Sequence, residues 1–513
     1  MSLLFLFVVG ISFAYFQTQY GNGGKVDLKA KTYSVDELSF NIGEDITINP
    51  NQFNFAQGKG NLEGATNASA ILKANNKTHL AKMNYYAYVV VTKNEFKYTT
   101  SDKKAELVLS VEGPNGVVTT LPDLGNAIDV TDNEGNTFKA FDITEFSGVI
   151  TLADNKEIEV TSGDNGKKQE DWKIKVTFIN LDADQSNNSD KNFNANMMIQ
   201  KEKFAGTMAD ICKGQLLTDC VSAQYYVLKN HNGLYYHDGT ITDSNSNVID
   251  AGDNSYRYAG PSDQVNNFVC FGSTESPCPT DNLYRIVGVF GENYHGVSGQ
   301  QLVKLIKYDY ANSNLLGTDG DYQVGNGYTW NYKADTSNYN NTWSTSLLNK
   351  INLNTNFISN IGPTLANKIA TTTWKVGGNT RDNIADAVPE VVYLNEVVNP
   401  STTALTGETE YSAKIGLMYV SDYAFAASPS VWTLIMSNNN ENTINNNWIY
   451  MGEEWTISRY ADTSGSAYYV QKNGVIDFNA IITQHAVRPS FILESSITYV
   501  SGMGSMSDPI IIT

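Results

Sequence analysis

Residues 171–180 read DWKIKVTFIN, and this stretch decides the fold of the first part of the chain. Trp172, Ile174, Val176 and Phe178 fall on one side of an extended backbone, while Lys173, Lys175 and Thr177 fall on the other. Successive strand side chains point to opposite faces, so the pattern describes a strand with one face buried and one in water. Residues 106–111 (ELVLSV) alternate in the same way, with Leu107, Leu109 and Val111 on one face, and Gly113-Pro-Asn-Gly116 supplies the turn after them. Residues 85–92 (YYAYVVVT) are β-branched and aromatic, and 193–200 return as a closing strand after a polar loop. Half-buried strands joined by short turns predict an antiparallel sandwich over residues 26–200. Its size makes it Ig-like, and no cysteine is present to bridge its sheets.

The texture changes after a junction placed at 201–217, where a short helix is expected. Residues 218–513 hold Trp330, Trp343, Trp374, Trp432, Trp448 and Trp455, six of the seven tryptophans. Residues 283–290 (LYRIVGVF) and 302–308 (LVKLIKY) predict a hairpin. Residues 345–358 carry Leu347, Leu348, Ile351 and Phe357 at roughly helical spacing. Long Asn, Ser and Gly loops separate these elements, and Trp and Tyr are the groups able to pack them. The whole chain therefore reads as mainly β, with an α+β C-terminal part.

Charge narrows the partners. Lys+Arg 35 against Asp+Glu 54 gives a net −19 over 513 residues. A protein must neutralise phosphates to hold nucleic acid, and anionic headgroups likewise attract basic segments, so both are disfavoured. Residues 1–20 contain the uncharged apolar run 3–16 (LLFLFVVGISFAYF). It is shorter than the roughly 20 residues a spanning helix needs, and it fits the roughly 7–15 of a signal h-region. The reading is a signal segment or shortened anchor whose basic flank lies upstream or was trimmed. The competing reading is a buried strand. The export reading places everything after about residue 20 outside the membrane, with membrane contact through this segment only.

Cys212 and Cys220, and Cys270 and Cys278, form two close pairs. Four cysteines allow three pairings. The near-neighbour pairing is the simplest, closes small surface loops and suits an oxidising compartment. The spacing and the dispersed histidines argue against zinc.

Catalytic machinery is not legible. The histidines are His79, His231, His237, His295 and His485, and none sits in a zinc-protease, nucleophile-elbow or phosphate-loop motif. Glu453-Glu454 beside Trp455 invites an acid–base reading, but neighbours on a strand face opposite ways. Asp319-Gly-Asp321 and 250–254 (DAGDN) offer oxygen ligands of the kind calcium takes, outside the EF-hand pattern. No cofactor is expected, and calcium has no further support. Arg488, in AVRP, is expected to be a buried anchor paired with a carboxylate.

Several C-terminal stretches carry a resemblance: 281–290 (DNLYRIVGVF), 303–311 (VKLIKYDYA), 367–378 (NKIATTTWKVGG), 413–426 (AKIGLMYVSDYAFA), 454–459 (EWTISR), 486–493 (AVRPSFIL) and 500–513 (VSGMGSMSDPIIIT). They resemble an uncharacterised extracellular module of low-GC gut bacteria. Its order of motifs is similar to the formylglycine-generating-enzyme-like branch of the C-type lectin fold. That resemblance implies a C-type-lectin-like domain over 218–513. Two departures limit it: the cysteines lie early in the module, away from a C-terminal cleft, and the Glu-Pro-Asn and Gln-Pro-Asp sugar tripeptides are absent. Neither the enzymatic activity nor calcium-dependent sugar binding carries over. The N-terminal half, with GISFAYF and WKIKVTFINLDADQ, resembles the exported sandwich of camelysin-like and biofilm-fibre proteins.

Together these readings describe a cell-surface or secreted binding and adhesion protein, non-enzymatic, with a sandwich stalk and a loop-rich binding domain. The expected partner is an extracellular glycan or surface protein. The expected contact residues are Trp432, Asn438, Asn439, Asn440, Asn445, Asn446, Asn447, Trp448, Tyr450 and Trp455, because aromatic faces stack on sugars while amides donate and accept. The alternatives are a structural fibre or matrix subunit assembling by strand addition, and a wall- or glycan-modifying enzyme.

Overall fold

The computed structural model describes residues 35–513 except 57, 78, 213, 229–232, 239, 243–247, 251–253, 321, 324–326, 333–339 and 401–407; before residue 35 it describes only the backbone pairing of Ala14–Phe16 with Ala30–Thr32. The rest of the apolar run 3–16 lies outside the described residues. The protein is mainly β, with 38% strand against 19% helix. It divides into two compact units, Met1–Ala205 and Gly206–Thr513.

In the first unit Lys167–Phe178 is a central strand. It pairs antiparallel with Leu62–Lys73 over its full length, Trp172 opposite Ala68, and on its other side with Leu107–Gly113. The sheet runs on to Glu37–Ile42 at one edge, and through Thr137–Asp142 to Ile128–Thr131 at the other. A second antiparallel sheet is ordered Gly148–Val160, Ala81–Asn94, Phe193–Gln200, Ile46–Ile48. The inward residues of both sheets form one core. Trp172, Ile174, Val176 and Phe178 share it with Tyr85, Val89, Val91, Phe193 and Met197. Each such side chain contributes about 1.5–3 kcal/mol on burial. The polar tips are satisfied: Trp172 Nε1 donates to Tyr85 Oη at 3.1 Å, which donates to Glu170 at 2.7 Å.

The outer face of the larger sheet is not wholly in water. Val108, Val130, Ala140 and Ile179 make a second small cluster there, so Val108, on the polar side of the 106–111 alternation, is buried as well. Glu106, fully buried, closes one end of the sandwich. It accepts from Thr99 N at 2.5 Å, Thr99 Oγ1 at 2.7 Å, Gln185 Nε2 at 3.0 Å and Asn188 Nδ2 at 2.9 Å.

The second unit is built on a sheet ordered Ile415–Gly416, Ser490–Ile492, Leu302–Lys307, Leu283–Phe290, Phe268–Cys270, Ile510–Ile512, Tyr499–Ser501; Ser255–Tyr258 and Leu234–His237 extend it from Leu283–Phe290. The 283–308 hairpin is formed, and every residue of its two strands is buried. A second sheet runs Gly378–Asn379, Glu454–Tyr460, Ser466–Val470, Ile476–Ala480. The helices are short. Met208–Cys212 lies within the expected junction but on the second unit's side of the division, and Leu217–Val227 follows it. The 345–358 helix is present, wound with wide i→i+5 turns over Leu348–Phe357. The cysteines pair as Cys212–Cys220 and Cys270–Cys278.

Candidate binding surface and the polar centre behind it

The helix Val420–Phe425 organises this region, and all six of its residues are buried. Its last residue, Phe425, meets Trp432 edge-on at 5.4 Å and His237 at 4.5 Å. Trp432 is half-buried, donates its indole N–H to Ala427 O at 2.7 Å, and meets Tyr235 at 5.7 Å and His237 at 5.1 Å. Tyr235 is 37% exposed. An aromatic group therefore reaches the surface at Tyr235 and Trp432, backed by Phe425.

The Asn-rich segment 437–448 adjoins it, with Ser428 N donating to Asn446 O at 2.8 Å. The segment contains one capped turn: Asn440 Oδ1 accepts from Asn442 N and Thr443 N at the start of Glu441–Asn445. Asn438, Asn440 and Asn445 are exposed and Asn446 is half-buried. Asn439 and Asn447 turn inward as clamps. Asn439 Nδ2 donates to Gly474 O at 3.0 Å, and Asn447 Nδ2 to Tyr423 O at 2.9 Å. Gly474 has φ +82 and sits so close to Ile444 that a Cβ would collide with it, so this junction requires glycine.

The structure separates the ten expected contact residues. Trp448 and Trp455 belong to the core, at 2% and 1% exposed. Trp448 Nε1 donates to Tyr258 O at 2.6 Å and its ring lies 4.7 Å from the Arg285 guanidinium. Trp455 Nε1 donates to Tyr328 O at 2.9 Å, and its ring meets His485 at 4.5 Å. Neither ring offers a face to a ligand. Tyr450 is half-buried and bonds through its hydroxyl to Lys472 O. The surface that remains is Trp432, Asn438, Asn440, Asn445 and Asn446, joined by Tyr235, which the sequence reading missed. Tyr235 alternates with buried Leu234 in a short strand, a weak signal in so tyrosine-rich a chain.

Behind Phe425 lies a buried polar centre. Asp422, on the same helix, accepts from Lys304 Nζ at 2.6 Å, Tyr294 Oη at 2.7 Å, Tyr419 N at 3.0 Å and Arg257 at 3.5 Å. The Arg257 guanidinium lies 4.6 Å from the Phe290 ring and 5.1 Å from Phe425. Glu396 caps the helix from below, accepting from Val420 N at 3.1 Å, Ser421 N at 2.7 Å and the Ser458 hydroxyl. Burial pushes the Glu396 carboxyl above its ordinary value and Lys304 below its own.

Glu453 and Glu454 do face apart. Glu454 is buried against Arg488, with Nε–Oε2 at 2.7 Å and Nη2–Oε1 at 2.5 Å, so Arg488 is the anchor expected of it. Glu453 is half-exposed and contacts His485 Nδ1 at 2.8 Å. His485 is stacked on Tyr469 at 4.4 Å, and burial drives it down to about 4. The water-exposed Glu453 carboxylate is too screened to offset that burial.

Of the calcium candidates, Asp321 and 251–253 lie outside the described residues, as does His231, while Asp319 accepts from Asn356 Nδ2 at 2.6 Å. Among the described residues no three His, Cys, Asp or Glu side chains converge as a metal set, and no helix is long and apolar enough to cross a membrane. A groove of about 770 Å³ lies in the first unit, lined in part by Ala65, Phe138, Lys139, Lys173 and Lys175. Its lysines are paired with Asp129, Glu112 and Glu63 at 2.8, 3.2 and 2.8 Å, so it presents lysine stems rather than free charge. No protein-family model matches the chain, and no curated protein or solved structure is significantly similar to it.

Proposed function

We propose that this is a cell-surface or secreted binding protein without enzymatic activity, whose second unit holds an extracellular glycan or a surface protein. In this reading the first unit is an Ig-like stalk, the second a C-type-lectin-like domain, and the apolar N-terminal run the export signal or anchor. The observation that carries the reading is the aromatic pair of exposed Tyr235 and half-buried Trp432 beside the exposed amides of Asn438, Asn440 and Asn445. Flat apolar rings flanked by neutral donors and acceptors suit a sugar ring or a polar peptide. Two disulfides support an oxidising compartment. Net charge −19 supports partners other than nucleic acid.

A second reading, a fibre or matrix subunit, has one observation in its favour. Glu37–Ile42 is the edge strand of its sheet among the described residues, with Ile42 50% exposed. The two readings part in one experiment. The purified chain is applied to a glycan array and to a panel of extracellular proteins while its light scattering is followed against concentration. Saturable binding by a monodisperse chain is expected. Blank panels together with growing fibres would replace the first reading by the second.

A further inference from the structure

The centre of the second unit holds an amine and a carboxyl in contact. Lys304 Nζ lies 2.6 Å from Asp422 Oδ2, and both side chains are wholly enclosed. Their surroundings are aromatic: Nζ is 4.5 Å from the Tyr419 ring, 4.8 Å from Trp374 and 5.0 Å from Tyr294. A buried ion pair is a costly resting state, since desolvating two charges can outweigh their mutual attraction. Condensation removes the ammonium and carboxylate charges and leaves a neutral amide whose oxygen still faces the Arg257 guanidinium. We propose that Lys304 and Asp422 join in an intramolecular isopeptide bond, releasing one water.

The step balances without a co-reactant. One proton passes from the ammonium to Oδ2, giving a neutral amine and a carboxylic acid. Tyr294 Oη is placed to relay it, 2.6 Å from Nζ and 3.0 Å from Oδ2. The Nζ lone pair then adds to Cγ, and the carbonyl electron pair moves onto Oδ1. That oxygen faces the Tyr294 hydroxyl at 2.7 Å and the Arg257 guanidinium at 3.5 Å, two donors that stabilise the developing charge. A second proton leaves Nζ for Oδ2, the Cγ–Oδ2 bond breaks, and water departs. Of the three ammonium protons, one stays on the amide nitrogen and two leave in the water. Burial, which lowers Lys304, favours the nucleophilic amine. The positions of Arg257 and Tyr294 are fixed by the Leu283–Phe290 side of the core, where Phe290 stacks on Tyr294 at 3.9 Å.

The bond would tie the strand Leu302–Lys307 to the helix Val420–Phe425 across 118 residues of chain. Unlike the two disulfides, this tie resists reduction. It does not depend on what the surface at Trp432 binds.

The test is mass spectrometry of the full chain, reduced and denatured. The expected intact mass is that of the sequence less one water. A proteolytic digest is expected to contain one branched species joining the peptide of Lys304 to that of Asp422. Lys304→Met and Asp422→Ala should each restore the full mass. Because a variant that fails to fold would also stay unlinked, the wild-type digest decides. A full sequence mass, or a lost water without the branched species, overturns the proposal.

Discussion

Replacing Arg488 by methionine probes a buried ion pair of the second unit. Glu454 is 1% exposed, and Arg488 is its ion-pair partner, binding it through two short contacts. Removing one member of a buried pair strands the other charge and costs about 3–5 kcal/mol. Arg488 also donates to Ile449 O at 2.5 Å, so Arg488→Met belongs near the top of that range. Glu454 has one escape, which is to take up a proton. Burial already raises its carboxyl above the ordinary 4.5, and Arg488 is what pulls it back down. Without Arg488 the folded state holds a proton that the unfolded state releases above 4.5. The variant should therefore lose stability steadily as pH rises from 4.5 toward neutrality. The double change Arg488→Met with Glu454→Leu removes both charges and should recover to within about 1–2 kcal/mol of wild type. Urea unfolding followed by tryptophan fluorescence reads the right unit, since six of the seven tryptophans lie there. An Arg488→Met variant costing under about 1 kcal/mol, or a double variant no more stable than Arg488→Met alone, would refute this account of the pair.

Other perturbations test other joints. His485 is lowered from 6.5 to about 4, so its contribution is full above pH 6.5 and is lost as pH falls through 4. The loss over that window is roughly 3 kcal/mol, and His485→Phe should flatten that part of the stability–pH curve relative to wild type. Glu106→Ala strands four donors at the end of the sandwich and should cost about 3 kcal/mol or more, read from amide hydrogen exchange of the first unit in the full chain. Opening Cys270–Cys278 by a double change to serine frees a loop of sequence separation 8 and should cost about 2.5 kcal/mol in denaturant titrations; no change would show that the loop is held by its other contacts.

What was legible in the sequence was what periodicity encodes. The 171–180 strand, the 106–111 strand and the 283–308 hairpin follow from alternation or from runs of β-branched residues, because a sheet's faces repeat every second residue. Tryptophan was ambiguous. Trp432 and Trp448 flank the same Asn-rich loop, yet one reaches the surface and the other is sealed beneath Arg285. Nothing local separates them, since the difference is made by a strand more than 150 residues away. Arginine burial was hidden in the same way. Arg257, Arg285, Arg459 and Arg488 are all buried, four of the five arginines, and only Arg488 sits in a motif that suggested it. Among the described residues ten asparagines are buried and serve the fold. Asn341 donates to Tyr460 O and Ser466 O at 2.8 and 2.6 Å, and Asn352 to Leu316 O and Asp319 O at 2.8 and 3.0 Å. Long loops have backbone carbonyls that no ladder pairs, and buried amides supply the missing donors.

The proposed binding surface is tested most directly by titrating whichever glycan or protein the panels select against three variants of the full chain. Tyr235→Ala changes the exposed aromatic, Asn438→Ala with Asn445→Ala removes two exposed amides, and Phe138→Ala alters the groove of the first unit. The account predicts at least a tenfold loss of affinity, about 1.4 kcal/mol, for each of the first two and none for the third. Undiminished binding by the first two, or a loss confined to Phe138→Ala, would contradict it.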